Sequence, residues 1–294
     1  MADYVFEVPA DWDGATMQSF LRQHCGLSWR MVVKLKRVEG GMTADGVPLR
    51  SIDRLRAGQT VRVQMPEDTV RIEGADLPLT VVYEDAHVLV IDKPPYLAVH
   101  PSAGKPEPTL ANAVVGYFEQ QGTPLSFRPV NRLDRGTSGL MAVARHAHAY
   151  QLLQSQLHTP NFVREYLAVV EGELAGEGRI DLPIAKEDAA TVRRVVDMER
   201  GKPAVTHFRV ISSGSDRTLV RLRLETGRTH QIRVHMAAIG HPVVGDFLYG
   251  HELVALPGRF ALHSAAIELD QPLTGERIHI ESPLPNELKV LLTQ

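Results

Sequence analysis

Hydrophobic and polar positions change period several times along this chain, and each change marks an element. Tyr4, Phe6 and Val8 alternate with Val5 and Glu7, the period of two of a half-buried strand, and Pro9 ends the run. Between residues 15 and 25 the apolar positions Met17, Phe20 and Leu21 take helical spacing, with Gly26 as a stop. Ser28 can cap a second helix that carries Met31, Val32 and Leu35, leaving Arg30, Lys34 and Arg37 for another face. Gly40-Gly41 and Asp45-Gly46 punctuate short strands, and Gly58 precedes the alternating Val61-Arg62-Val63-Gln64-Met65. Residues 1–66 therefore read as a small α/β unit, and the acidic, proline-flanked stretch 67–78 as a linker.

Beyond residue 79 the texture shifts to strands, expected at 79–83, 88–91, 140–144, 163–170, 205–211, 219–224 and 261–269. Helical patterns are fewer, at 110–118, 147–157 and 230–239. Several strands follow one another with no helix between them, which favours an α+β domain over 79–294, its mixed, mostly antiparallel sheet flanked by helices. The last helix has Thr229 as a candidate cap, Gly240 as a stop, and a core stripe of Ile232, Met236 and Ile239.

Composition narrows the class. At 294 residues, 44% hydrophobic and 23% charged, the chain is globular and long enough for two domains. A single cysteine, Cys25, rules out a disulfide-stapled scaffold. No apolar run approaches a membrane span and the start lacks the pattern of a signal peptide, so a cytoplasmic protein without membrane association is expected, with a monomer as the default. Net charge is −3, yet residues 22–62 hold nine basic against three acidic residues, a net of +6, which leaves −9 for the remainder. That asymmetry suits a dedicated anion-binding module.

Phosphate-loop, dinucleotide, nucleophile-elbow and zinc motifs are all absent. His230 and His235 are five apart, on different faces of one helix, so no metal site is expected from them. The segment that stands out is Arg128 to Leu140, in which Asp134 lies between Arg132 and Arg135 and is followed by Thr137, Ser138 and Gly139. A short carboxylate at a strand entrance is well placed for chemistry. Taken alone, the plainer reading, an Asx-turn with surface ion pairs, is the better supported.

Asn131 to Leu140 resembles the HRLDxxTSGL signature of the RluA-type pseudouridine synthases. Further stretches match in the same order: 91–101, Arg164-Glu165-Tyr166-Leu167 within 164–172, Gly201-Lys202-Pro203 within 201–206, Gly227-Arg228-Thr229-His230-Gln231-Ile232-Arg233 within 226–236, and 240–246. One departure is Asn131, where many relatives carry His, which puts local support of the loop in question. The basic unit at 1–66 is similar to the ribosomal-protein-S-four-like RNA-binding domain.

The resemblance implies an enzyme that isomerises uridine to pseudouridine in RNA, with large-subunit ribosomal RNA favoured and transfer RNA next. The sugar–nitrogen bond is broken, the uracil turns, and the ring is rejoined through carbon 5, without cofactor or metal. It assigns Asp134 as nucleophile or base, attacking ring or anomeric carbon or removing a ribose proton. Arg233 becomes its cationic partner, Tyr166 the side chain against the uracil, and Arg132 the residue that fills the gap left by a flipped base. Arg193, Arg194 and the loop 99–105 are candidate RNA contacts, as are Arg30, Lys34 and Arg37. Two rivals are a non-catalytic RNA-binding or ribosome-assembly factor, against which the intact Asp134, Tyr166 and Arg233 argue, and a glycoside hydrolase, for which no second flanking acid stands out.

Overall fold

The computed structural model describes residues 3–64, 72–101 and 107–292, so Met65, part of the linker and most of the loop 99–105 lie outside the described residues. The chain divides into two compact units, Met1–Thr69 and Val70–Gln294.

In the first unit, strands β1 (Asp3–Glu7), β2 (Met42–Ala44), β3 (Val47–Pro48) and β4 (Thr60–Gln64) form an antiparallel sheet in the order β1-β4-β2-β3. The helix expected over 15–25 begins later and is wound differently. Thr16 caps α1 (Met17–Ser19) by accepting from the Ser19 N–H at 3.2 Å, and the chain then passes into a π turn, Phe20–His24. The wider turn lets the neighbours Phe20 and Leu21 both be fully buried. Ser28 does cap α2 (Trp29–Leu35), accepting from the Met31 N–H at 3.2 Å. Val32 and Leu35 are buried while Arg30, Lys34 and the following Arg37 are exposed, as the helical period requires.

The second unit is built on a nine-stranded sheet. Its elements in chain order are β5 (Thr80–Glu84), β6 (Val88–Lys93), α3 (Leu110–Gln120), β7 (Ser138–Ala144), α4 (Ala147–Gln156), β8 (Phe162–Glu171) and β9 (Glu177–Asp181). There follow β10 (Ile184–Lys186) and β11 (Arg194–Val196), which pair only with each other, then β12 (Val205–Ser213), β13 (Arg217–Leu224) and α5 (Gln231–Ala238). The last are β14 (Leu262–Asp270), β15 (Arg277–Glu281) and α6 (Asn286–Lys289). Strand order is β5-β6-β7-β14-β8-β13-β12-β9, with β15 paired to β14, and every pairing is antiparallel except β7 with β14. The α+β class with a mostly antiparallel sheet is the one the strand-rich pattern predicts.

The sheet separates two cores, which explains why its central strands read as unbroken apolar runs. In β6 and β7, Leu89, Ile91, Met141 and Val143 point into the larger core, where Leu110, Val114 and Phe118 of α3 cover them. Val88, Val90, Leu140 and Ala142 point the other way, toward Ala149 and Leu153 of α4. Tyr166 of β8 and Ile232 and Met236 of α5 belong to the larger core, so the functional loops open on that face. At the parallel seam Gly139 adopts φ 106°, and a Cβ there would lie 2.3 Å from the Ser264 carbonyl oxygen. Only glycine admits this approach of β14 to the strand entrance.

Candidate active site

Asp134 sits in the loop that enters β7. The Asx-turn reading is overturned: the backbone carbonyl of Asp134, not its carboxylate, closes the turn by accepting from the Thr137 N–H at 3.1 Å. The side chain is thereby released to turn toward α5, where Arg233 Nη1 donates to Asp134 Oδ2 at 3.0 Å. Oδ1 of Asp134 accepts no hydrogen bond among the described residues.

Arg233 is itself gripped from behind. Its Nε and Nη2 donate to the two carboxylate oxygens of Asp246 at 2.6 and 2.8 Å, and Asp246 also accepts from the Leu248 and Tyr249 N–H groups. Its guanidinium stacks 4.0 Å from the Phe260 ring centroid and 5.1 Å from that of Tyr249. Burial works to lower the pKa of Arg233, but the hydrogen bonds and charges of Asp246 and Asp134 outweigh it and raise it. The result is a buried, permanently charged fork with one arm offered to Asp134. Asp246 is fully buried and spent on the arginine and two backbone amides, so it does not face Asp134 as a glycosidase's second acid would.

The start of α5 corrects the expected cap. Thr229 is exposed and caps nothing; His230 occupies the N-terminal position in the left-handed region, φ 59°, and the helix begins at Gln231. No side chain caps the helix; Gln231, its first residue, instead ties down the preceding loop, its Oε1 accepting from the Arg228 N–H at 2.9 Å and the Thr226 hydroxyl at 2.8 Å. Gly240, at φ 87°, ends the helical segment as expected. The second helical histidine, His235, is fully buried between Thr206 and the Leu182 carbonyl. Among the described residues no group of three or more His, Cys, Asp or Glu side chains is placed to hold a metal ion.

Asp134, Arg233, Tyr166 and Arg132 line one cleft of about 800 Å³, together with Val99, His100 and His230. Tyr166 is 5% exposed, and burial raises its phenol pKa against the pull of Arg164, so it is neutral at pH 7. Arg132 is exposed at the mouth and its guanidinium pairs with no group among the described residues. Arg193 and Arg194 lie beside this face: Arg193 pairs with Glu187 at 3.2 Å and stands 5.8 Å over the Tyr249 ring, while the Arg194 N–H donates to the Tyr249 hydroxyl. Arg30, Lys34 and Arg37 belong to the first unit. There the exposed Trp29 ring is flanked by Arg22 at 5.8 Å and Lys36 at 5.1 Å.

Several residues at the site escaped sequence reasoning. Lys93, fully buried at the end of β6, donates to the carbonyls of Pro94 at 2.8 Å, Leu97 at 3.0 Å and Arg135 at 3.3 Å, tying the Asp134 loop to the sheet. Burial pushes its pKa down to about 7, with Asp134 pulling upward and Arg259 downward. Ser138 joins His263 at 2.9 Å and accepts from Arg259 at 3.1 Å in a buried polar chain behind the loop. Asn131, the departure that put local support of the loop in question, does support it, its Oδ1 accepting from the Ala142 N–H at 2.9 Å. A lysine ending an apolar strand was the one readable signal for Lys93.

Comparison with known proteins identifies the family. A family model described as RNA pseudouridylate synthase matches residues 87–238. An uncharacterized RNA pseudouridine synthase, YjbO of Bacillus subtilis, is 39% identical over 270 residues, covering 91% of this chain and 95% of that protein. A protein named ribosomal large subunit pseudouridine synthase D from Xanthomonas campestris is 41% identical over 268 residues, covering 86% and 81%. Among solved structures, human RNA pseudouridylate synthase domain containing 1 superposes with a TM-score of 0.57 at 27% identity, over 71% of this chain and 85% of that one.

Proposed function

This chain belongs to the RNA pseudouridylate synthase family, and from that premise we propose that it isomerises uridines in large-subunit ribosomal RNA, with Asp134 as the reacting carboxylate. The observation that carries the reading is the single cleft in which Asp134, held by Arg233, meets the neutral phenol of Tyr166. Isomerisation needs an ionised carboxylate at the sugar–base linkage, and in a desolvated site only a fixed counter-charge keeps one ionised. Arg233 supplies that charge. Because it engages Oδ2 alone, Oδ1 is the atom left to act as nucleophile or base. Tyr166 stacks against the uracil that is released, turned and rejoined through carbon 5, and the residues lining the cleft hold the fragment in place.

The unpaired Arg132 at the mouth suits insertion into an RNA stack from which the target base has swung out. The first unit acts as the RNA-binding module, S-four-like in plan: α2 and the turn after it offer Arg30, Lys34 and Arg37 without acidic partners among the described residues, beside an exposed Trp29 on which a base can stack. Ribosomal RNA is favoured by the substrate named for relatives such as that of Xanthomonas campestris. Such a substrate implies a cytoplasmic site of action.

The test is twofold. Asp134→Asn should abolish pseudouridine formation while RNA affinity stays within a few fold; retained turnover removes Asp134 from the role. Chemical mapping of pseudouridine in cells with and without the gene should lose signals in large-subunit ribosomal RNA. Loss confined to transfer RNA would replace the substrate.

A further inference from the structure

His230 stands on the other flank of Asp134, and nothing in the reading above uses it. Its Nε2 lies 3.9 Å from Asp134 Oδ2, the oxygen already bound by Arg233, and its Nδ1 lies 2.8 Å from the Tyr249 hydroxyl. The same hydroxyl accepts from the Arg194 N–H at 2.8 Å. Tyr249 has one proton to give, and His230 is its only other partner among the described residues. The arrangement that satisfies all three groups has Tyr249 donating to Nδ1, which fixes the neutral imidazole with its proton on Nε2, aimed at Asp134. Burial lowers the pKa of His230, with Asp134 and Asp246 pulling upward and Arg233 and Arg194 pushing downward, so the neutral form prevails at pH 7. The backbone shows the same demand. His230 holds a left-handed conformation just before α5, a costly choice for a side-chain-bearing residue and one that clusters at functional sites.

We propose that His230 is a positioning residue for the reaction: its Nε2–H, set by Tyr249, closes onto Asp134 Oδ2 when RNA fills the cleft and, with Arg233, locks the carboxylate so that Oδ1 faces the uridine. This rests on Asp134 being the reacting group. No proton is transferred; the relay is a fixed chain of donors running from Arg194 N–H through Tyr249 and His230 to the carboxylate. The side-chain contact of Arg233 with Oδ2 sets the charge, while His230 sets the rotamer.

The experiment compares His230→Asn, Tyr249→Phe and the double variant in single-turnover and steady-state assays on the RNA substrate. Asparagine tolerates the left-handed backbone but is too short to reach Asp134, and phenylalanine keeps the ring against Arg233 while removing only the hydroxyl. His230→Asn should lower kcat by about 10- to 100-fold, the cost of a misplaced reacting group, with KM and thermal midpoint little changed. Tyr249→Phe should lower kcat a few-fold to about tenfold, the effect of one uncharged hydrogen bond, and add nothing in the His230→Asn background. Independent, multiplying effects would overturn the relay, as would wild-type kcat in His230→Asn. If Asp134→Asn is inactive while His230→Asn is not, only this inference fails; if Asp134→Asn stays active, the proposed function fails first.

Discussion

Arg233 is useful to Asp134 only because Asp246 holds it, and that dependence can be measured. Asp246→Asn leaves a buried guanidinium with half its counter-charge, so it should cost roughly 3 kcal/mol in denaturant unfolding and reduce turnover together, because Arg233 loses the anchor that aims it. Lys93 gives a pH signature. Its pKa in the folded chain is about 7 against an ordinary value near 10.5, so between those values the unfolded chain binds more protons and stability rises with pH. The slope from this one group is at most about 1.4 kcal/mol per pH unit. Wild type minus Lys93→Met, compared by urea unfolding from pH 7 to 9.5, should show it; parallel curves would mean that the ammonium is not desolvated. Asp134 was legible because a whole motif surrounds it. The roles of Asp246 and Lys93 were not: both lie in matching stretches, 240–246 and 91–101, but an acid after Val-Val-Gly reads as a turn and single residues carry no periodicity that reports burial.

The elements divide along the same line. Long runs with a clean period, β6, β7, β8, β13 and β14, were readable because the sheet buries them on one or both faces. The short β9, β10 and β11, mostly charged or half-exposed, were invisible because backbone pairing rather than an apolar face defines them. The start of α5 shows how a local rule yields to the site. Threonine at 229 has the chemistry of a cap, yet the left-handed His230 shifts the helix origin and the helix goes without a side-chain cap, while the buried Gln231 anchors the preceding loop through Thr226 and Arg228. Thr229→Ala should therefore change the unfolding free energy by less than about 0.5 kcal/mol, whereas Gln231→Ala should cost about 1–2 kcal/mol by leaving the part-buried Thr226 hydroxyl and Arg228 N–H without their acceptor. Equal effects would mean that the helix is capped from Thr229 after all.

At the scale of the whole molecule, charge is partitioned, not averaged. A chain of net −3 would be a poor RNA ligand if its charges were evenly spread, but residues 22–62 carry +6, and Arg30, Lys34 and Arg37 reach solvent with no ion-pair partner among the described residues. Each phosphate contact releases counterions, so the logarithm of the association constant falls with the logarithm of salt at about 0.7 per contact on single strands and 0.9 on duplex. Replacing Arg30, Lys34 and Arg37 by glutamine in the full chain should flatten that slope by about 2. Trp29→Ala should weaken binding by about 1–3 kcal/mol through lost stacking and leave the slope nearly unchanged, because a base on an aromatic face displaces no counterion. Binding measured by fluorescence anisotropy across a salt series separates the two effects. A slope untouched by the triple substitution would place the phosphate contacts elsewhere, on the cleft side with Arg132, Arg193 and Arg194, and would leave the first unit without an RNA role.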